Sequence, residues 1–94
     1  MGYEIRIRKK ASSQIEAASE WFLQKNKGLE IKFLQDLSVC IDDISENPVK
    51  YQMRYKGVRV KFLKKFDFGI HYIFDENIIH ILAVFHTSQS PENW

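Results

Sequence analysis

The sequence predicts an α+β domain: an N-terminal strand, an antiparallel helical hairpin on one face of a mostly antiparallel sheet, and a C-terminal three-strand meander. The element order is β-α-α-β-β-β. Three observations predict it. Residues 3–9 and 55–86 are rich in aromatic and β-branched residues, and their first parts alternate apolar with polar residues, as strands do. Residues 13–46 carry two apolar stripes at helical spacing. The link between those stripes is so short that the two helices lie antiparallel, each with one apolar face to bury. With 94 residues, 45% of them hydrophobic, the chain is one domain, residues 1–94. That length builds a single core without an elaborate cavity, so the chain should act through a surface.

Tyr3, Ile5 and Ile7 alternate with Glu4, Arg6 and Arg8, which makes residues 3–9 a short strand with a basic face. Ser12-Ser13 then stops the strand, and Ser13 with Glu16 reads as a capping box opening the first helix. Ile15, Ala18, Trp21 and Phe22 form its apolar stripe, and Asn26-Lys27-Gly28 is a suitable left-handed stop. In the second helix Phe33, Leu34, Leu37, Cys40, Ile41 and Ile44 share one wide face, while Glu30, Gln35, Asp36, Asp42 and Asp43 lie mostly off it. Asn47-Pro48 ends it.

The meander follows. Val58, Val60 and Phe62 alternate with Arg59 and Lys61, and Phe68, Ile70, Tyr72 and Phe74 alternate with Gly69, His71 and Ile73. Asp75-Glu76-Asn77 supplies a hairpin turn, and the last run, IIHILAVFH, is apolar on both faces, as a central strand is. Parity then assigns Val58, Val60, Phe62, Ile79, Ile81, Ala83 and Phe85 to the helices. Arg6, Arg8, Arg59, Lys61, His71, Ile73, His80, Leu82, Val84 and His86 fall on the open face as partner-binding candidates.

Charge sharpens the expectation of a partner. Residues 50–65 hold seven bases and no acid, whereas residues 11–49 hold seven acids and three bases, within a net charge of only +2. A basic surface opposite an acidic one suits an anionic partner. The single cysteine, Cys40, sits on the second helix's apolar stripe and reads as a buried thiol in a reducing compartment. No metal site is expected, because His71, His80 and His86 have no Cys or carboxylate at ligand spacing. No apolar run approaches the roughly 20 residues of a membrane span. The N-terminus lacks a signal peptide's apolar core, so the expected location is the cytoplasm.

The phrases Asn47-Pro48 with Tyr51, YKGVRVKFLKKFDFGIHYIF and IIHILAVFHTSQSPENW resemble those of the RelE/ParE toxin superfamily of type II toxin-antitoxin, or plasmid-stabilisation, systems. With the helical hairpin upstream, the resemblance covers nearly the whole chain. It implies a growth-inhibiting toxin, without cofactor, neutralised by a cognate acidic antitoxin. Two branches offer different targets. RelE-like members cleave ribosome-bound mRNA, which requires a base, an acid and cations for the phosphorane charge. Where they read roughly RLVY this chain reads GIHY, so the expected catalytic Arg is Gly69, and Arg59, Lys61 and His86 remain as catalytic candidates. KFDFGIHY is more similar to the ParE-like kFPYgIyY, a branch implied to act on DNA gyrase by protein contact. Asp67 replaces that branch's usual Pro, and Gln89 stands where Arg commonly precedes the Pro-x-x-Trp ending, a departure that bears on toxicity. A degenerate toxin kept as a binding module is the third expectation. Trp94 reads as an anchor for the tail.

Overall fold

The computed structural model describes residues 2–88, so the readings of Gln89 and Trp94 lie outside the described residues. The chain runs β1 (Glu4–Ile7), α1 (Lys9–Lys25), α2 (Leu29–Glu46), β2 (Met53–Tyr55), β3 (Val58–Phe62), β4 (Phe68–Asp75) and β5 (Ile78–His86). These strands form one sheet in the order β1-β5-β4-β3-β2. β1 pairs with β5 in parallel, and every other pairing is antiparallel. The hairpin of α1 and α2 covers one face, as the apolar stripes require. β2 is additional to the expected order. It exists because Lys56 and Gly57 both adopt positive φ, 41° and 78°, the geometry of a two-residue hairpin turn. Glu76 and Asn77 form the equivalent turn between β4 and β5, with φ of 49° and 65°.

Two helix boundaries follow from backbone bonding. α1 starts at Lys9, not at Ser12-Ser13, because Arg8 donates its N–H to Ile81 O and its own carbonyl accepts from Ser12. The strand therefore passes into the helix without a side-chain cap, and the expected Ser13–Glu16 box lies inside the helix. Gly28, at φ 95°, joins the helices, and Glu30 Oε1 accepts its N–H at 2.8 Å. Among the described residues no helix is long and apolar enough to cross a membrane.

The core lies between the hairpin and β4–β5. Phe22, Phe33, Phe66 and Phe68 form an aromatic group with ring centroids 5.0–5.8 Å apart. Leu37, Cys40, Ile44, Ile70, Tyr72, Ile79, Ile81 and Val84 complete it. Asp36 is buried with them rather than off the apolar face. Its Oδ1 and Oδ2 accept the N–H groups of Lys64 (3.1 Å) and Lys65 (2.7 Å), which pins the β3–β4 loop to α2.

The loop after α2 is held from the sheet. Tyr72 donates its hydroxyl to Pro48 O at 2.6 Å, and burial raises its pKa to about 12. We expect Tyr72→Phe to cost about 1–2 kcal/mol, the usual loss when a buried carbonyl gives up its partner. Urea unfolding would register this as a lower midpoint at unchanged slope.

Candidate protein-interaction surface

Register fixes which side chains share a face, since directly paired residues project together. Arg6 pairs with His80, which pairs with Ile73, and Arg8 Nη2 lies 3.2 Å from His80 Nδ1. Val60 pairs with His71, which pairs with Ala83. Arg6, Arg8, His71, Ile73 and His80 therefore meet on the open face, as their alternation predicts.

Arg59, Lys61, Val84 and His86 do not, Leu82 sits at a bulge, and two physical causes explain the difference. The first is a bulge. Tyr72 pairs with Ile81 but His71 pairs with Ala83, so Leu82 is an extra residue and the parity of β5 reverses beyond it. Val84 therefore joins the core, and His86 packs edge-on against Phe68 (5.5 Å) on the helix-side face, while Ala83 and Phe85 take the open face. The second cause is that the sheet is apolar on both sides. Arg59 pairs with Tyr72 and Lys61 with Ile70, so both bases share the face that carries the helices. Val58 and Val60 instead supply the open face, and Phe62 is 44% exposed there.

The open face is built around an aromatic tier that the sequence reading does not contain. His71 stacks on Phe85 at 4.3 Å with 15° between the rings, and its Nδ1 shares a hydrogen bond with Tyr55 Oη at 3.2 Å. Only 3% of His71 is exposed. Burial, reinforced by the Lys10 charge, lowers its pKa to about 4, so it is neutral at physiological pH. Nothing in the composition of β2 marks Tyr55 for this role; only the Lys56-Gly57 turn places it there. Beside the tier, Gly69 is overhung. A Cβ at that position would sit 3.1 Å from Val60 Cγ1 and 3.5 Å from both His71 Nε2 and Phe62 Cδ1. Phe62 carries the Arg54 guanidinium 5.3 Å above its ring.

Of the catalytic candidates, Arg59 and Lys61 both engage Tyr51, whereas His86 lies in a different cleft. Arg59 Nη1 donates to Tyr51 O (2.7 Å) and Val49 O (3.3 Å), so it clamps the loop after α2. Lys61 places its ammonium 4.9 Å from the Tyr51 ring centroid in a cleft of about 420 Å³ with Lys50 and Lys64. His86 lines a different cleft, of about 710 Å³, and its Nδ1 accepts the Ser88 N–H at 3.1 Å. No group of three or more His, Cys, Asp or Glu residues among those described has the arrangement to hold a metal.

The profile described as ParE toxin of type II toxin-antitoxin system, parDE, matches residues 5–91. The chain belongs to the ParE toxin family. Solved structures give the same fold. A chain of the chromosomal ParDE toxin-antitoxin system from P. aeruginosa superposes with a TM-score of 0.80 at 16% identity, over 89% of this chain and 95% of that one. A chain of the toxin-antitoxin complex RelBE2 from Mycobacterium tuberculosis gives 0.59 at 15% identity, over 92% and 99%. Comparison with curated protein sequences finds no significant match. On the open face of this ParE-family chain, Gly69 and the aromatic tier lie side by side.

Proposed function

We propose that this ParE-family chain arrests bacterial growth by protein contact with DNA gyrase and is held inactive in the cytoplasm by an acidic antitoxin. The observation that carries the choice of target is the open face at Gly69. Gly69 offers no cationic side chain, and a Cβ there would press on Val60 at 3.1 Å; of the remaining candidates, Arg59 and Lys61 are both engaged at Tyr51 while His86 lines a different cleft, so the three do not converge on one phosphate. A contact surface needs no such convergence. Arg6, Arg8, Ile73 and His80 present a mixed basic and apolar face, with His71 buried as its support, which suits protein recognition.

Two features support the antitoxin. The similar solved structures come from toxin-antitoxin systems. Ile7, Leu23 and Leu34, each 39–47% exposed, also line an apolar groove of about 690 Å³ along the hairpin, a surface that isolated monomers seldom leave bare. An acidic segment lying across the hairpin and open face would fold on binding and neutralise the Lys50 to Lys65 charge.

Controlled expression of the chain in bacteria, with plasmid supercoiling and mRNA integrity followed in one culture, tests this. The expected result is arrest with altered supercoiling and intact message, and His86→Gln arrests growth equally well. Cleaved message on translating ribosomes would replace gyrase with RNA as the target. Absence of arrest would leave a degenerate binding module.

A further inference from the structure

β1 pairs only with Ile78–Ile81, although β5 continues to His86. Among the described residues no strand accompanies Leu82–His86 on that side, a length of about 17 Å. Hydrogen-bond alternation identifies the groups at this edge. Ile81 O points outward and accepts from Arg8, and after the bulge the Val84 N–H points outward and donates to Gln14 Oε1 at 2.8 Å. His86 shares the parity of Val84, so the Val84 carbonyl and both backbone groups of His86 also face outward. Gln14 thus stands in for one bond of a missing strand.

The edge opens into the cleft of about 710 Å³. α1 lines it with Gln14, Ala17 and Trp21, and Ala17 leaves room for a backbone to approach. Trp21 is 54% exposed, an unusual amount for the largest apolar side chain. Lys65 lines the cleft and Lys25 holds its ammonium 4.9 Å from the Trp21 ring centroid, against one lining acid, Asp67. We propose that this edge takes an extended segment of the antitoxin as an added strand, with an apolar side chain against Trp21 and a carboxylate towards Lys65. A carboxylate on the occupant is matched by Lys65 in the cleft wall and by Lys25 over the Trp21 ring, and an extended backbone is matched by the edge's alternating donors and acceptors. The proposal rests on the reading that an antitoxin binds this chain, and it specifies where and how.

The test uses the full chain co-purified with the acidic polypeptide encoded beside it, with amide hydrogen exchange and affinity measured together. The His86 amide should exchange about tenfold or more slowly in the complex than in the free chain. Ala17→Glu, on an exposed helix position, should weaken binding by about tenfold through added bulk and like charge, whereas Gln14→Ala, which leaves Val84 N–H for the incoming strand, should tighten it several-fold. A merely structural role for α1 would not move the two variants in opposite directions. A complex with unchanged His86 exchange overturns the added strand while leaving the antitoxin reading intact. Slow His86 exchange already in the free chain also overturns it, since the edge is then filled by the chain itself. Failure of the two polypeptides to associate removes the antitoxin reading and this proposal together.

Discussion

Asp36→Ala should destabilise the domain by about 3 kcal/mol, because two N–H groups lose a charge-assisted acceptor at once. The carboxylate is 6% exposed and receives Lys64 N–H and Lys65 N–H, with the Cys40 thiol 3.7 Å away as a third donor. The loop it holds carries Phe66, whose ring packs 5.0 Å from Phe22 and 5.6 Å from Phe33. Releasing the loop therefore loosens the aromatic core as well as two hydrogen bonds. Asp36→Asn keeps one accepting oxygen and should recover about half of the loss. With a urea slope of about 1–3 kcal/mol per molar, the alanine variant's midpoint should fall by roughly 1–2 M, and the Lys64 and Lys65 amides should exchange faster. A midpoint within about 0.5 M of the parent would show that solvent replaces the carboxylate at little cost.

Asp36 also shows what was legible in the sequence. It lies three residues after Phe33 and four before Cys40, so its helical position is on the buried stripe. The polar side chain disguised a core position whose function is to accept backbone donors from elsewhere. The fold class was legible because long apolar stripes and strand runs are enforced by burial of whole faces. Arg6, Arg8, His71, Ile73 and His80 were placed correctly because alternation holds along uninterrupted strands.

Val84 and His86 were misplaced because one added residue, Leu82, inverts parity, and a bulge has no composition of its own. Arg59 and Lys61 were misplaced for another reason. Alternation separates two faces but does not say which one carries the helices. Here the apolar face of β3 belongs to the tier around His71, and its basic face holds the loop after α2. The consequence for function is direct: the most basic part of the chain lies around that loop and the β3–β4 turn, while the open face contributes shape and aromatic surface. An acidic partner that neutralises residues 50–65 must therefore reach round the sheet rather than lie on one side of it.

The second large effect is expected from acid. His71 has a folded-state pKa of about 4 against 6.5 for the ordinary side chain, because burial against Phe85 and Tyr55 disfavours the imidazolium and the Lys10 ammonium adds repulsion. Above pH 6.5 the residue is neutral in both folded and unfolded chains, and its contribution to stability is fully present. As pH falls below 6.5 the unfolded chain takes up a proton that the native chain refuses, so stability drops by about 1.4 kcal/mol per pH unit until the native side chain also protonates near 4. Between pH 6.5 and 5 this amounts to about 2 kcal/mol, before carboxylates titrate appreciably. His71→Phe removes the titration while keeping an aromatic ring against Phe85. Its stability at neutral pH should fall, since Tyr55 Oη loses a hydrogen-bond partner, but its unfolding midpoint should be nearly constant from pH 6.5 to 5. Equal slopes for parent and variant across that window would mean that His71 takes up its proton without disturbing the tier.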